Sequence, residues 1–346
     1  RYRDKQGLEI PVENILITNG SQQGLDLLSK TFLNEGDEVI IEEPGYLGAI
    51  QALSIYRTKF CPVAVADEGM DTSMLATTLK TAKPKLMYTV PNFQNPGGIT
   101  YTNANRQQVV ELTNDSNLWI IEDNPYGDLR YSGEPQESFK KYAPERTILL
   151  GSFSKTVVPS FRLGWIVAPD SVMDRLIIAK QASDLHTNYF SQRLLFEYLV
   201  NNDLDKHIEE IAEVYDKQRL AMLAAIERDF PNTVKTTRPE GGMFLWAELP
   251  EGFSSMEYWT FSWGCAQVNR QLGHPNLGLD IIPGQLYLAG LLHGIGKIMM
   301  AIHYPNEFSK CLTMADNLKQ PLDKVERDIF GTTDAFVAAN ILDAWS

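Results

Sequence analysis

Short apolar runs alternate with amphipathic stretches along residues 15 to 167 of this chain. The runs are three to six residues long, rich in Ile, Val, Leu and Tyr, and bounded by Gly, Pro and Asn, a pattern that predicts buried strands. They lie at 15–18, 38–41, 60–63, 85–90, 118–123, 148–150 and 163–167. Between several of them the apolar positions recur with a helical period, as at about 72–82 and 104–115. This alternation predicts an α/β fold with a mostly parallel, doubly wound sheet and helices on both faces.

The pattern becomes helical after Pro169, and we predict helices over 171–180, 192–200 and 204–229. The last stretch is long and amphipathic, so we interpret it as a bridge to a second domain. We therefore divide the chain into a large domain, residues 1–205, and a bridging helix with a smaller α+β C-terminal domain, residues 206–346. In the second part we expect helices near 254–270 and 306–328 and a strand over 297–303.

Charge and cysteine usage narrow the class of protein. The net charge of −13 argues against a nucleic acid or an anionic membrane as partner. The sequence contains no apolar run of 18 residues, so we predict no membrane-spanning helix. Three widely spaced cysteines and five scattered histidines predict no disulfide framework, no bound metal and a cytoplasmic location. The chain begins without Met at Arg1, close to a strand, and we expect that further residues precede it in the natural protein.

The turn between the runs at 148–150 and 163–167 carries the most specific chemistry. Lys155 lies in it with Ser152, Ser154 and Arg162. A lysine that is partly desolvated beside a cation loses basicity and becomes an amine nucleophile toward carbonyls. An arginine with nearby hydroxyls suits a phosphate. An aldehyde together with a phosphate describes pyridoxal 5'-phosphate (PLP), although a surface lysine on a loop would give the same pattern.

Three other strand ends carry polar groups that would meet at the same edge of such a sheet. Ser21 begins a helix after a turn and suits a phosphate, Asn95 lies in a Pro- and Asn-rich turn, and Asp123 ends a buried strand. A protonated pyridine nitrogen would be a suitable partner for Asp123. For each of the three a plain structural role, as helix cap, turn or salt bridge, is the alternative.

A set of phrases in a fixed order gives a family resemblance over about residues 10 to 250. The phrases are Thr18-Asn-Gly-Ser-Gln-Gln23, Glu43-Pro-Gly-Tyr46, Pro91-Asn-Phe-Gln-Asn-Pro96, Glu122-Asp-Asn-Pro-Tyr126, Gly151-Ser-Phe-Ser-Lys155, Arg162-Leu-Gly-Trp165, Asp184-Leu-His-Thr187 and Arg238-Pro-Glu-Gly-Gly-Met-Phe244. In these phrases the chain resembles the PLP-dependent class I/II aminotransferases of fold type I, and within them the 2-aminoadipate and aromatic aminotransferase branch.

The resemblance implies a role for each matching residue. Lys155 would bind the cofactor aldehyde covalently and later move a proton, and Asp123 would keep the pyridine nitrogen protonated. Tyr46 would stack on the ring, and Asn95 and Tyr126 would hydrogen-bond its 3'-oxygen. The phosphate would be held by Ser21, Gln22, Ser152, Ser154 and Arg162. The implied activity is amino-group transfer between an L-amino acid of 2-aminoadipate, aromatic or aliphatic type and a 2-oxo acid, by a homodimer.

The sequence departs from the family pattern in three places. A longer N-terminal segment is absent, and the stretch at 251–283 is longer than expected. The C-terminal arginine that grips the substrate carboxylate is also missing, since the corresponding stretch, Gly296 to His303, has only Lys297 as a cation. This last departure keeps two alternatives open: another PLP reaction on the same scaffold (a lyase, decarboxylase or cyclase), or a non-catalytic aminotransferase-like sensor domain.

Overall fold

A computed structural model describes residues 2–249, 296–297, 299–300 and 304–345. The chain divides into two compact units. Unit 1 comprises residues 1–226 and 236–247, and unit 2 comprises residues 227–235 and 248–346. The division at residue 205 that the sequence predicted, with the long helix as a bridge, stays a prediction.

Unit 1 is built on an eight-stranded sheet with the order β1-β8-β7-β6-β5-β2-β3-β4. Its strands are β1 (Ile15–Thr18), β2 (Glu38–Glu43), β3 (Lys59–Ala66), β4 (Gly69–Met70), β5 (Leu86–Thr89), β6 (Trp119–Asp123), β7 (Thr147–Ser152) and β8 (Gly164–Val167). Strands β3, β2, β5, β6 and β7 are parallel, whereas β8 is antiparallel to both β7 and β1. The predicted α/β fold is confirmed, including the pairing of the two strands on either side of Lys155.

Helices connect these strands and continue the chain after β8. In unit 1 they are α1 (Tyr2–Gln6), α2 (Ser21–Phe32), α3 (Leu47–Ser54), α4 (Thr72–Thr81), α5 (Asn103–Leu112), α6 (Phe139–Tyr142), α7 (Asp170–Asp184) and α8 (Tyr189–Asn201), followed by α9 (Leu204–Asp229), which ends in unit 2. Two short strands, β9 (Lys235–Thr236) and β10 (Ala247–Glu248), form a separate sheet. The helices predicted from the apolar period therefore exist within a few residues of their predicted bounds.

The core of unit 1 explains why α2 lies firmly on the sheet. Leu25, Leu27 and Leu28 are fully buried, and every residue of β7 is buried as well. Gly24 permits this packing, because a Cβ at that position would lie 2.9 Å from Cδ2 of Leu150. Burial of each such leucine contributes roughly 1.5–3 kcal/mol to folding. The first turn of α2 is thereby fixed close to the end of β7.

The described residues of unit 2 after position 295 are helical. The helices are α10 (Pro305–Leu318), α11 (Leu322–Phe330) and α12 (Asp334–Trp345). Pro321 separates the first two, where the sequence predicted a single helix over 306–328. The strand predicted over 297–303 is wrong at its described residues, since Gly296, Lys297, Met299 and Met300 are helical. A continuous apolar run does not distinguish a buried strand from a buried helix. The helix predicted near 254–270 lies outside the described residues.

Candidate active site

The candidate residues lie where five strands of unit 1 end at one edge of the sheet. Strands β2, β5, β6 and β7 are parallel, and β1 runs in the same direction because both β1 and β7 are antiparallel to β8. Asp123 ends β6, Ser152 ends β7, and Ser21 and Asn95 follow β1 and β5. Carboxyl ends of parallel strands are the usual ligand-binding edge of an α/β sheet. The predicted convergence of these residues is therefore present in the fold.

Asp123 is a fully enclosed carboxylate with one oxygen unused. Oδ2 accepts a hydrogen bond of 2.8 Å from the hydroxyl of Tyr88, whereas Oδ1 is buried and has no hydrogen-bond partner among the described residues. Burial raises the pKa of the Asp123 carboxyl to about 7; the hydrogen bond from Tyr88 opposes this shift and the negative charge of Glu42 adds to it. A buried, unpaired acceptor of this kind favours a cationic donor as its missing partner.

Tyr126, Asn95 and Lys155 form a second group beside Asp123. Nδ2 of Asn95 donates to the Tyr126 hydroxyl at 3.4 Å, and Nζ of Lys155 lies 5.8 Å from the centre of the Tyr126 ring. Burial raises the pKa of Tyr126 to about 12, and the charge of Asp123 contributes in the same direction. The phenol therefore stays protonated at neutral pH and is available as a donor. Phe244 packs edge-on against the same ring at 5.5 Å.

A third group combines the first turn of α2 with the turn after β7. Nη1 of Arg162 donates to Oγ of Ser154 at 3.3 Å, and Oγ of Ser152 accepts from the backbone N–H of Ser154. A Cβ on Gly20 would lie 2.7 Å from Nη2 of Arg162, so only glycine lets the guanidinium approach the helix N-terminus this closely. Arg162 itself adopts a left-handed backbone conformation with φ 51°, which is uncommon outside glycine and marks an unusual local demand.

Tyr46 and Gln22 lie between these groups. The Tyr46 hydroxyl approaches Oε1 of Gln22 at 3.5 Å, and Nε2 of Gln22 donates to the carbonyl oxygen of Gly48. Burial raises the pKa of Tyr46, with a further contribution from the charge of Asp123 and an opposing one from Arg162. The charges of Asp123 and Arg162 therefore both act on the half-buried Tyr46 side chain.

The sequence analysis did not identify the buried polar residues that support the candidate site. Tyr88 is one, and the others are the buried polar residues Glu42, Gln94, Tyr101, Arg106 and Glu122. Charged or amide residues at the end of an apolar strand, such as Glu42 and Glu122, were the available signal. Their partners come from distant segments: the guanidinium of Arg106 lies 3.8 Å from the carboxylate of Glu122 and donates to the carbonyl oxygen of Pro91.

These features fit PLP. The orphaned oxygen of Asp123 matches a protonated ring nitrogen, the amine of Lys155 matches an aldehyde, and the helix N-terminus with Arg162 and two serines matches a phosphate. Neither a metal site nor a membrane span competes with this interpretation. In the part of the chain that the structure describes, no group of three or more metal-ligating side chains occurs, and no helix is long and apolar enough to cross a membrane.

Comparison with known families agrees with the geometry. The profile described as "Aminotransferase class I and II" matches residues 1–261. This chain belongs to the class I and II aminotransferases. The predicted family, fold type and cofactor, PLP, are thereby confirmed.

Two named relatives and one solved structure illustrate these similarities. Aromatic-amino-acid aminotransferase 1 of Thermococcus litoralis is 45% identical over 259 residues, covering 73% of this chain and 62% of that protein. The 2-aminoadipate transaminase of Thermus thermophilus is 40% identical over 248 residues, covering 70% of this chain and 62% of that protein. The crystal structure of Pyrococcus horikoshii kynurenine aminotransferase superposes with a TM-score of 0.72 at 42% identity, covering 75% of this chain and 66% of that one. The chain thus spans less than two thirds of the length of these relatives.

The C-terminal residues have a different similarity. The profile described as "HDOD domain" matches residues 242–346. In contrast, an uncharacterised aminotransferase of Saccharolobus solfataricus aligns over 95% of this chain at 31% identity. The helical conformation at Lys297 and Met300 is at odds with the C-terminal aminotransferase strand that the family resemblance implies there.

The structure also changes the interpretation of Lys297, the cation nearest to the expected carboxylate-binding arginine. Its ammonium pairs with the buried carboxylate of Asp334, and both residues belong to unit 2. Met300 is 3% exposed and packs with Phe308. Lys297 therefore has a local structural partner, and neither position lies on a strand.

Proposed function

We propose that unit 1 holds PLP on Lys155 and catalyses transfer of the amino group of an L-amino acid to a 2-oxo acid. The observation that carries the proposal is Asp123, whose buried Oδ1 has no partner among the described residues and lies at the strand edge that also bears Lys155. Leaving such an acceptor unpaired costs about 1–3 kcal/mol, which a cationic ligand group at this edge would recover. The named activities of the relatives support an aromatic or 2-aminoadipate donor.

Each residue has a defined task in this proposal. PLP supplies an electron-accepting ring when it is bound. Asp123 would hold the ring nitrogen through Oδ1, and Tyr88 fixes the orientation of the Asp123 carboxylate through Oδ2. Lys155 would hold the cofactor through its amine, and Nζ is the atom that would carry the proton during amino-group transfer. Because the pKa of Asp123 is raised by burial, a cationic donor at Oδ1 restores its ionised form.

The remaining residues orient the cofactor. Tyr46, Asn95 and Tyr126 would hold the ring, and the first turn of α2 with Ser21 and Gln22 would hold the phosphate together with Ser152, Ser154 and Arg162. The guanidinium of Arg162 and the helix dipole favour an anionic phosphate at this place.

We further propose a homodimer in the cytoplasm. Large apolar side chains of α7, α8 and the connection between them are exposed in unit 1: Ile178, Leu185, Tyr189, Phe190, Phe196 and Val200. Exposed patches of this kind favour association. Cys61 and Cys311, the cysteines in the described parts of the chain, are unpaired, which supports a reducing compartment. Sedimentation velocity at several concentrations tests the dimer directly.

For the domain organisation, we propose a PLP-binding unit that ends near residue 247, followed by a unit of HDOD type. The compact unit boundaries and the HDOD match support this arrangement. It also accounts for the missing carboxylate-binding arginine, because the aminotransferase pattern is not continued where that residue belongs.

A sensor role is the second candidate, since HTH-type regulators are among the relatives: YisV of Bacillus subtilis is 31% identical over 67% of this chain. One experiment separates the candidates. Purified protein with PLP is mixed with a panel of L-amino acids, the cofactor spectrum is followed, and the 2-oxo acid is quantified. Stoichiometric 2-oxo acid supports the aminotransferase, a spectral change without product supports the sensor, and release of ammonia or carbon dioxide supports another PLP reaction.

A further inference from the structure

A buried carboxylate at the end of β2 accepts hydrogen bonds from strand β5 and from the loop that follows it. Oε1 of Glu42 accepts from the hydroxyls of Thr89 (2.6 Å) and Tyr101 (2.7 Å) and from the backbone N–H of Val90 (2.8 Å). Oε2 accepts from Nε2 of Gln94 at 2.9 Å. Glu42 is 2% exposed, and no ion pair found among the described residues includes it. Burial raises the pKa of Glu42, and the four hydrogen bonds oppose this shift.

Gln94 extends this arrangement to both loops in front of it. Its Nε2 also donates to the carbonyl oxygen of Pro44 at 2.7 Å, and its Oε1 accepts from the backbone N–H of Gly97 at 2.5 Å. The amide orientation is unambiguous, because a carbonyl only accepts and a backbone N–H only donates. Gln94 is fully buried. One side chain thus joins Glu42, the loop from β2 to α3 and the loop after β5.

These two loops carry the two groups proposed to contact the cofactor ring from different directions. Tyr46 lies two residues after Pro44, and Asn95 lies between Gln94 and Gly97. We propose that Glu42 and Gln94 form a positioning unit that sets the distance between Tyr46 and Asn95 before any ligand arrives. In this role neither residue contacts the reacting atoms. The purpose of the positioning unit rests on the proposed function, whereas the hydrogen bonds that define the unit do not.

The charge on Glu42 has a physical reason in this proposal. A hydrogen bond to an ionised acceptor stabilises by about 1.5–3 kcal/mol, against about 1 kcal/mol for a neutral pair. A glutamine at position 42 would turn an amide N–H₂ toward groups that donate, and at least one of the four donors would lose its acceptor. A carboxylate at position 42 presents two acceptor oxygens and so accepts from all four partners at once.

The test uses hydrogen–deuterium exchange of the full chain without PLP, with strand β6 as an internal reference. In Gln94→Leu, the backbone amides of residues 45–50 and 95–99 should exchange about tenfold faster or more, because one bond to a charged acceptor and two to the backbone are lost. Tyr101→Phe is the matched control, since it removes a donor to the same carboxylate but leaves every hydrogen bond of Gln94 in place. Residues 45–50 and 95–99 should then exchange within about threefold of the rate in the unaltered chain, because both segments keep their bonds to Gln94.

PLP binding gives the second readout. The dissociation constant should rise about tenfold in Gln94→Leu and by less than about threefold in Tyr101→Phe, in line with the loss of loop preorganisation. If Gln94→Leu leaves both loops unchanged, or if Tyr101→Phe loosens them equally, the positioning role is wrong and the cluster only stabilises the core. If the chain fails to bind PLP at all, the proposed function fails, while the exchange comparison still decides the positioning role.

Discussion

Each of the two units contains a buried acid with a pKa of about 7 and one oxygen without a partner among the described residues. In unit 1 this acid is Asp123, and in unit 2 it is Glu326. Burial is the largest cause of the raised pKa in both, but their neighbours differ. Asp123 receives a phenol hydrogen bond at the ligand-binding edge of a sheet. Glu326 accepts from the backbone N–H of Asp334, which pairs in turn with Lys297.

This difference shows that a perturbed acid is not by itself an active-site signal. Glu326 belongs to a closed structural cluster in which a second carboxylate raises its pKa and a lysine is already paired. Asp123 lies at the strand edge that also carries the amine of Lys155, the phenol of Tyr126 and the turn with Arg162 and two serines. What marks the candidate site is this set of different groups at one edge of the sheet.

The largest expected effect distinguishes Lys155 of unit 1 from Lys297 of unit 2. Borohydride treatment of the PLP-loaded protein should fix the cofactor to Lys155, and Lys155→Ala should abolish the adduct and lower turnover by roughly 1,000-fold or more. Lys297→Met is the control, since it removes the partner of Asp334 in unit 2. Peptide mapping by mass spectrometry is the measurement, and an adduct on Lys297 or another lysine would overturn the assignment.

The next comparison exchanges each acid for its amide. Asp123→Asn should lower turnover by about 100-fold or more while some PLP remains bound, because an amide supplies no charge to the ring nitrogen. Glu326→Gln should leave turnover within a few-fold of the starting value. Steady-state kinetics with PLP in excess measure both. Near-normal turnover in Asp123→Asn would mean that Asp123, like Glu326, has only a structural role.

Substrate affinity is expected to be low, because no arginine lies between residues 281 and 306 and Lys297 is paired with Asp334. Loss of a bidentate carboxylate contact costs roughly 2–5 kcal/mol, which is about 30- to several-thousand-fold in affinity. Spectral titration of the PLP-loaded chain with L-amino acids is the measurement. Micromolar binding would mean that another residue holds the carboxylate. Lys297→Arg and Met300→Arg are not informative for this purpose, since the structure gives both positions roles in the packing of unit 2.

The smallest effect is on the pH dependence of stability without PLP. The pKa of Asp123 rises from 3.8 to about 7 on folding, so between these values the folded state keeps a proton that the unfolded state releases. Asp123 therefore makes the protein less stable as pH rises from about 4 to 7, by on the order of 4 kcal/mol. Urea unfolding of the PLP-free protein should show a flatter pH dependence in Asp123→Asn than in the unaltered chain. Parallel curves would show that Asp123 is ionised in the free protein.

The sequence by itself determined the order of strands and helices in unit 1 and the residues at their ends. The apolar runs around Lys155, Asn95 and Asp123 are short and bounded by turn residues, so the period and the turn chemistry were sufficient to locate these elements. The grouping of Lys155, Asp123 and Arg162 at one edge followed from the rule that parallel strands end on the same side.

Only the tertiary structure decided which polar residues support that site. Glu42 and Gln94 are 52 residues apart, and Tyr88 and Asp123 are 35 apart, so no local pattern relates them. The tertiary structure also decided the conformation around Met300. A continuous apolar run fits a strand and a buried helix equally well, and the choice is made by packing against residues such as Phe308 in another helix.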